Sequence, residues 1–177
     1  MRFCQLDRIT ELVPGEKISA VKTLSLSEDY LKDHFPRFPV MPGVLMLEAM
    51  FQAGMWLIYA TNKFSHSTVV LAESRQVKFG DFVEPGSKLE VIATWKKTDQ
   101  DRVVMQTEGL TKGSVAVKGK LILEQFNLAD RGLATSEIDE YLIQERFKQF
   151  RRLQDPRNPY NSSFADAKEP SLNGLDG

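Results

Sequence analysis

His34 and Glu48 are the side chains of this sequence best suited to moving protons. They stand fourteen residues apart in the run His34-Phe35-Pro36-Arg37-Phe38-Pro39-Val40-Met41-Pro42-Gly43-Val44-Leu45-Met46-Leu47-Glu48. The histidine falls in a Pro-rich loop, and imidazole titrates near neutrality, which suits proton abstraction. Pro42-Gly43 then opens a long apolar helix, and the carboxylate hangs from its second turn. A base, an acid and a helix N-terminus in one short segment are the parts needed for proton transfer beside a carbonyl group. Gly43 begins the helix, so its N–H has no intrahelical acceptor. Helped by the helix dipole, that N–H fits an oxyanion, and the missing Cβ lets a substrate approach. Gln52 lies one turn beyond Glu48 on the same face. It either hydrogen-bonds the carboxyl or a water beside it, or is a buried amide bonded to backbone. The plainer alternative for His34 and Glu48 is a loop histidine and a helix carboxylate satisfied by backbone groups. For Pro42-Gly43 it is simply a turn before a helix. His66, in Ser65-His66-Ser67, reads as an exposed loop residue without a role.

These residues need a scaffold. Val44 to Ala60 is apolar on nearly every side, which predicts a helix buried in a core from about Gly43 to Thr61. A membrane span needs about 20 apolar residues and tolerates a central carboxylate poorly, so no span is expected. Residues 1–15 read as a lead-in ending in the turn Pro14-Gly15, and Glu16 to Ser27 as a strand. Ser27 to Leu31 suggests a short capped helical turn. After the central helix the period becomes that of strands, at 68–79, at the strictly alternating Leu89-Val91-Ala93-Trp95, from Val103 and from Val115 to Leu123. Turns fall at Glu84-Pro85-Gly86-Ser87, Thr98 to Asp101 and Gly113-Ser114. The expected fold is α+β, an antiparallel sheet wrapped around one long helix. Ser136-Glu137-Ile138-Asp139 has the form of a capping box. It opens an added helix running to Leu153, with Ile138, Leu142, Ile143, Phe147, Phe150 and Leu153 on one arc. Lys148, Arg151 and Arg152 on its polar side either meet an acidic partner or complement the helix C-terminus. The chain thus divides into a sheet-and-helix domain at 1–126, a helical extension at 127–154 and a disordered tail at 155–177, rich in Pro, Asn, Ser and Gly.

Composition narrows the function classes. A 42% hydrophobic share over 177 residues supports a full core, and a net charge of −1 gives no pull toward nucleic acid or anionic membrane. One cysteine excludes an internal disulfide, and with only two histidines a zinc site is not expected. The first residues lack the apolar core of a signal peptide, so a bacterial-type cytoplasmic location is expected.

The segment His34 to Gln52 resembles the active-site region of the 3-hydroxyacyl-[acyl-carrier-protein] dehydratases of the FabZ type, which have the hotdog fold. The likeness rests on His34-Phe35-Pro36, on Pro39-Val40-Met41-Pro42-Gly43-Val44-Leu45, on Glu48-Ala49 and on Gln52. Val77-Lys78-Phe79, Val83-Glu84-Pro85-Gly86, Leu6-Asp7-Arg8-Ile9 and Pro14-Gly15 extend it over about residues 6–126. Departures are Arg37-Phe38 before Pro39, Gly80 after Lys-Phe, Ser87 after Pro-Gly, and the absence of the usual stretch ahead of Asp-Arg. The resemblance implies dehydration of 3-hydroxyacyl-[acyl-carrier-protein] to trans-2-enoyl-[acyl-carrier-protein] in fatty acid biosynthesis, with no metal and no organic cofactor. In it His34 removes the C2 proton, Glu48 protonates the departing 3-hydroxyl, Gly43 holds the thioester oxygen and Gln52 assists. Glu48, where the isomerising FabA type has Asp, leans toward dehydration alone. The partners implied are acyl carrier protein and a second copy, since the family draws His and Glu of one site from different subunits of a homodimer or trimer of dimers. Met41, Met46, Phe51, Met55 and Phe79 either line an acyl tunnel or fill core. The alternatives are a hotdog acyl-thioesterase or enoyl-CoA hydratase, or a non-catalytic acyl-binding or pairing subunit.

Overall fold

Twelve of the nineteen residues of helix α1 (Gly43–Thr61) are buried, which is the consequence of its being apolar on every side. Although α1 is long and apolar enough to cross a membrane by length and composition, a sheet encloses it. The computed structural model describes residues 4–154; the tail expected at 155–177 lies outside the described residues. The strands are β1 (Arg8–Val13), β2 (Lys17–Thr23), β3 (Thr68–Phe79), β4 (Lys88–Asp99), β5 (Arg102–Thr111) and β6 (Ser114–Phe126). They form one antiparallel sheet in the order β1-β2-β4-β5-β6-β3. A second helix, α2 (Ser136–Leu153), follows. This is the hotdog arrangement with an added C-terminal helix, as expected.

Alternation makes the sheet one-sided. Leu89, Val91 and Ala93 of β4 and Val103 and Met105 of β5 point inward and are fully buried. Gly54 lets α1 come close to them, because a Cβ there would stand 2.8 Å from Met105 Sδ.

Strand β1 corrects the reading of residues 1–15 as a lead-in. Ile9 and Leu12 are its buried residues, three positions apart, because a bulge shifts the register between Ile9 and Glu11. A bulge inserts an extra residue and breaks the period of two, so the strand left no alternation to read. Strand β2 is shorter than the predicted 16–27, and Leu26 lies exposed beyond its end.

The C-terminal turn of α1 and the inner face of α2 make one aromatic cluster. Phe64 has left-handed backbone, with φ of 58°. That conformation costs a non-glycine residue roughly 1–2 kcal/mol. Burial of the ring offsets it: Phe64 stacks on Tyr59 at 5.4 Å and meets Phe147 and Phe150 edge-on at 5.2 and 5.4 Å. The capping box expected at 136–139 is not formed. Thr135 is the N-cap residue, and Asp139, buried, turns away from its own helix end. It accepts hydrogen bonds from the Ser67 hydroxyl and from the N–H groups of Leu128 and Ala129, the latter two at 2.9 Å. At the other end, Gln154 bridges to Ile9 of β1. Helix α2 therefore runs from the residue preceding one edge strand, β3, to the opposite edge strand, β1, across the open side of the wrapped sheet. Ile138, expected on its buried arc, is exposed, since the anchoring residues are Asp139, Phe147, Phe150 and Leu153.

Candidate active site

The loop carrying His34 is pinned at both ends. Leu31 is buried in a short 3-10 turn, Asp29–Lys32, and the His34 N–H donates to the Tyr30 carbonyl at 3.1 Å. Downstream, Val40 and Met41 are buried, and the Met41 N–H donates to the Val83 carbonyl at 2.9 Å. His34 Nδ1 lies 2.9 Å from the Val40 carbonyl oxygen. A carbonyl only accepts, so Nδ1 carries a hydrogen, and in the neutral ring the lone pair is on Nε2. The loop thus fixes the tautomer a general base needs. Next to it, Phe35 has left-handed backbone with φ of 55°, and its ring sits 4.4 Å from the imidazole.

Glu48 and Gln52 form a second unit, one helical turn apart. Gln52 Nε2 donates to Glu48 Oε1 at 2.8 Å, and Gln52 Oε1 accepts the Gln5 N–H at 2.8 Å. Both alternatives for Gln52 therefore hold: it is buried and bonded to backbone, and it orients the carboxyl. The bond fixes the carboxyl plane and leaves Oε2 without a partner among the described residues.

Gly43 is the first residue of α1, after Pro42 at φ −56° and ψ 138°. Leu45 and Met46 donate to the Pro42 carbonyl, while the Gly43 N–H stands at the helix mouth. The close neighbour of Gly43 is a ring: a Cβ would lie 2.9 Å from Phe79 Cε1. The room left by the missing side chain is thus used by Phe79, itself largely exposed.

A cleft of about 480 Å³ lies beside Glu48. Gln52, Phe51, Met55, Trp56 and Val69 line it from the hotdog core, and Arg146, Gln149, Arg152 and Leu153 from α2. His34 does not line it. The structure brings Glu48 and Gln52 together and sets His34 and Gly43 apart from their cleft. Of the residues read as either tunnel lining or core, Phe51 and Met55 line this cleft, Met55 being buried in the core as well, whereas Met41 and Met46 are core. His66 is half-buried rather than exposed and lies 3.0 Å from the Ser65 hydroxyl. The contribution of α2 had no signal in the sequence, since nothing local ties residue 146 to residue 48. Among the described residues no group of His, Cys, Asp and Glu could hold a metal ion.

The FabA-like domain family matches residues 1–125. The chain belongs to that family. FabZ, the 3-hydroxyacyl-[acyl-carrier-protein] dehydratase of Lactobacillus helveticus, is 34% identical over 116 residues, or 66% of this chain and 78% of the relative. FabZ of Lactiplantibacillus plantarum is 42% identical over a shorter stretch of 86 residues, 49% of this chain and 58% of that one. Among solved structures, the dehydratase heterocomplex ApeI:P of Xenorhabdus doucetiae superposes with a TM-score of 0.60 at 20% identity, covering 71% of this chain and 84% of that one. At that identity the likeness speaks for the fold. The family match stops at the end of β6, so α2 lies outside it.

Proposed function

We propose that this FabA-like protein dehydrates 3-hydroxyacyl-[acyl-carrier-protein] to trans-2-enoyl-[acyl-carrier-protein] in fatty acid biosynthesis. The observation that carries the reading is the pairing of roles within the FabZ-like block. His34 is fixed with Nε2 as a free lone pair, and Glu48 is oriented by Gln52 with one carboxyl oxygen available. In the reaction, His34 Nε2 takes a proton from C2. Negative charge develops on the thioester oxygen, which the Gly43 N–H and the helix dipole stabilise. The C3–O bond breaks as Glu48 delivers a proton to the hydroxyl, and water leaves. The proton held by His34 returns to Glu48 through solvent to reset the site. No step calls for a metal or organic cofactor.

The site is completed by a second copy, with Glu48 of one chain facing His34 of the partner subunit. Three observations support this. His34 is absent from the cleft that Glu48 lines. Strand β3 is a sheet edge, exposed from Ala72 to Gln76, and an unpaired edge of that length is a template for another sheet. Phe35, Phe38, Val44, Phe79 and Phe82, around His34 and Gly43, are all exposed, an apolar patch of the kind that marks an interface. A homodimer, single or as a trimer of dimers, covers both. We place the dehydratase unit at 1–126, read 127–154 as an extension docked on it, and assign the protein to the cytoplasm.

The test is purified, dimeric protein given 3-hydroxyacyl carrier substrates, with enoyl formation followed by absorbance and free thiol by a thiol-reactive dye. Enoyl product without thiol is expected. Thiol release would point to a thioesterase, and no conversion of any chain length would overturn the proposal.

A further inference from the structure

The mechanism above leaves one buried cation unused. Strand β2 buries Ile18, Ala20 and Lys22 in alternation, so Lys22 stands where the period of two calls for a hydrophobe. It is 7% exposed. Its Nζ lies 2.6 Å from Glu28 Oε1 and 3.8 Å from Asp7 Oδ1. The two carboxylates come from different segments. Asp7, just ahead of β1, also accepts the Thr23 N–H through Oδ2 at 2.6 Å. Glu28 stands at the N-cap of the 3-10 turn Asp29–Lys32, yet its side chain does not cap that turn. Its carboxyl reaches across to β2 instead. The Tyr30 ring belongs to the same cluster. Its phenol is buried without a hydrogen-bond partner among the described residues, and burial, followed by the negative charge of Glu28 and Asp7, pushes its pKa well above the ordinary value.

Stability does not account for a lysine at this place. Two charges taken out of water lose hydration that their attraction barely returns, and an apolar side chain of similar volume would hold the core as well or better. Position accounts for it. Residues 35–38 are all exposed, so the tip of the loop does nothing to locate the imidazole. His34 is held from the two ends, by the Val40 carbonyl at Nδ1 and by the Tyr30 carbonyl, which accepts its N–H. The Tyr30 carbonyl in turn hangs from a turn of four residues with one buried side chain, Leu31. The Lys22–Glu28 pair is what fastens that turn to the sheet. A charged pair at 2.6 Å is directional where an apolar contact is not.

We propose that Lys22 is a positioning residue for His34, acting through Glu28 and the turn that carries the Tyr30 carbonyl. The role of His34 as base rests on the dehydratase reading, so the test includes a readout that needs no turnover.

Nitrogen NMR of the full-length protein reads the imidazole tautomer, and steady-state kinetics with a 3-hydroxyacyl carrier substrate reads its use. The unaltered protein should show one neutral tautomer, with hydrogen on Nδ1. Lys22→Met should mix the two tautomers and lower kcat by about 10²-fold, the scale of a 1 Å misplacement. KM should stay near its original value, because Lys22 does not reach the substrate. Lys22→Arg should restore most of both readouts, and Glu28→Gln, which leaves Lys22 with Asp7 alone, should fall between. Lys17→Met breaks the ion pair with Glu11 on the same strand and should change neither. A lower melting temperature for Lys22→Met with tautomer and kcat kept would make the cluster a brace of the fold and overturn the proposal. Should Lys22→Met not fold, Glu28→Gln decides by the same two readouts, and unchanged values there overturn it. Mixed tautomers in Lys22→Met, with no enoyl product from the unaltered protein, remove the dehydratase and leave Lys22 holding the histidine. Full turnover and a single tautomer in Lys22→Met remove the role of Lys22 and leave the dehydratase.

Discussion

Phe35 and Phe64 share one backbone strain and opposite surroundings. Both have left-handed φ, 55° and 58°. Phe64 is 6% exposed and ringed by Tyr59, Phe147 and Phe150. Phe35 is 58% exposed, and its one ring neighbour among the described residues is His34. The two edges of the sheet repeat the contrast: β1 is closed by the end of α2, and β3 lies bare. One side of the molecule is finished within the chain. The other keeps a strained loop, exposed phenyl rings and an unpaired edge around His34. Strain that nothing in the chain offsets belongs to sites that a ligand or partner completes.

The strongest way to break this comparison is to remove the base from the unfinished side. His34→Ala should lower turnover by about 10²–10⁴-fold with an unchanged melting curve, and an active His34→Ala would make that side an ordinary surface. Mixing His34→Ala with Glu48→Gln chains sharpens the point. Hybrid dimers regain activity if one site draws on two chains and stay inactive if each chain carries its own. On the finished side, Phe150, fully buried, should cost about 3–5 kcal/mol of stability when changed to alanine, read by denaturant unfolding. Asp139→Ala strands the donors of Ser67, Leu128 and Ala129, an expected loss of about 1–3 kcal/mol.

Acid should loosen the same clamp. Burial pushes Asp139 up, but the Ser67 hydroxyl and the N–H groups of Ala129 and Leu128 outweigh it and hold the carboxyl below its ordinary 3.8. A depressed folded value gives stability that is present above the unfolded pKa and lost as pH falls through the folded one. Hydrogen exchange of α2 should therefore rise on acidification below about pH 4, and Asp139→Asn should flatten that response. The smallest effect is expected at Phe35. Phe35→Ala should change the stability of one chain by no more than about 0.5 kcal/mol, yet weaken association of two copies by sedimentation.

The alternation of β4 and the all-round apolar run of α1 were legible because burial on one face, or on every face, writes its period directly into residue order. Strand β1 was not, because its bulge shifts the phase. The apolar residues of α2 predicted a helix, while Asp139, which looked like part of a cap, became an anchor for a different turn. Position in sequence carried Gln52 to Glu48, since helix geometry alone makes that neighbour.

What the chain determined by itself was local: an imidazole in a Pro-rich loop, a carboxyl in the second turn of a buried helix, and a FabZ-like block joining the two. Tertiary structure decided the tautomer of His34, through a carbonyl six residues on, and the arrival of Arg146 and Arg152 beside Glu48. Those facts depend on how the sheet closes and where α2 docks. Packing of that kind sums many small contacts between distant residues, and no single stretch of sequence contains them.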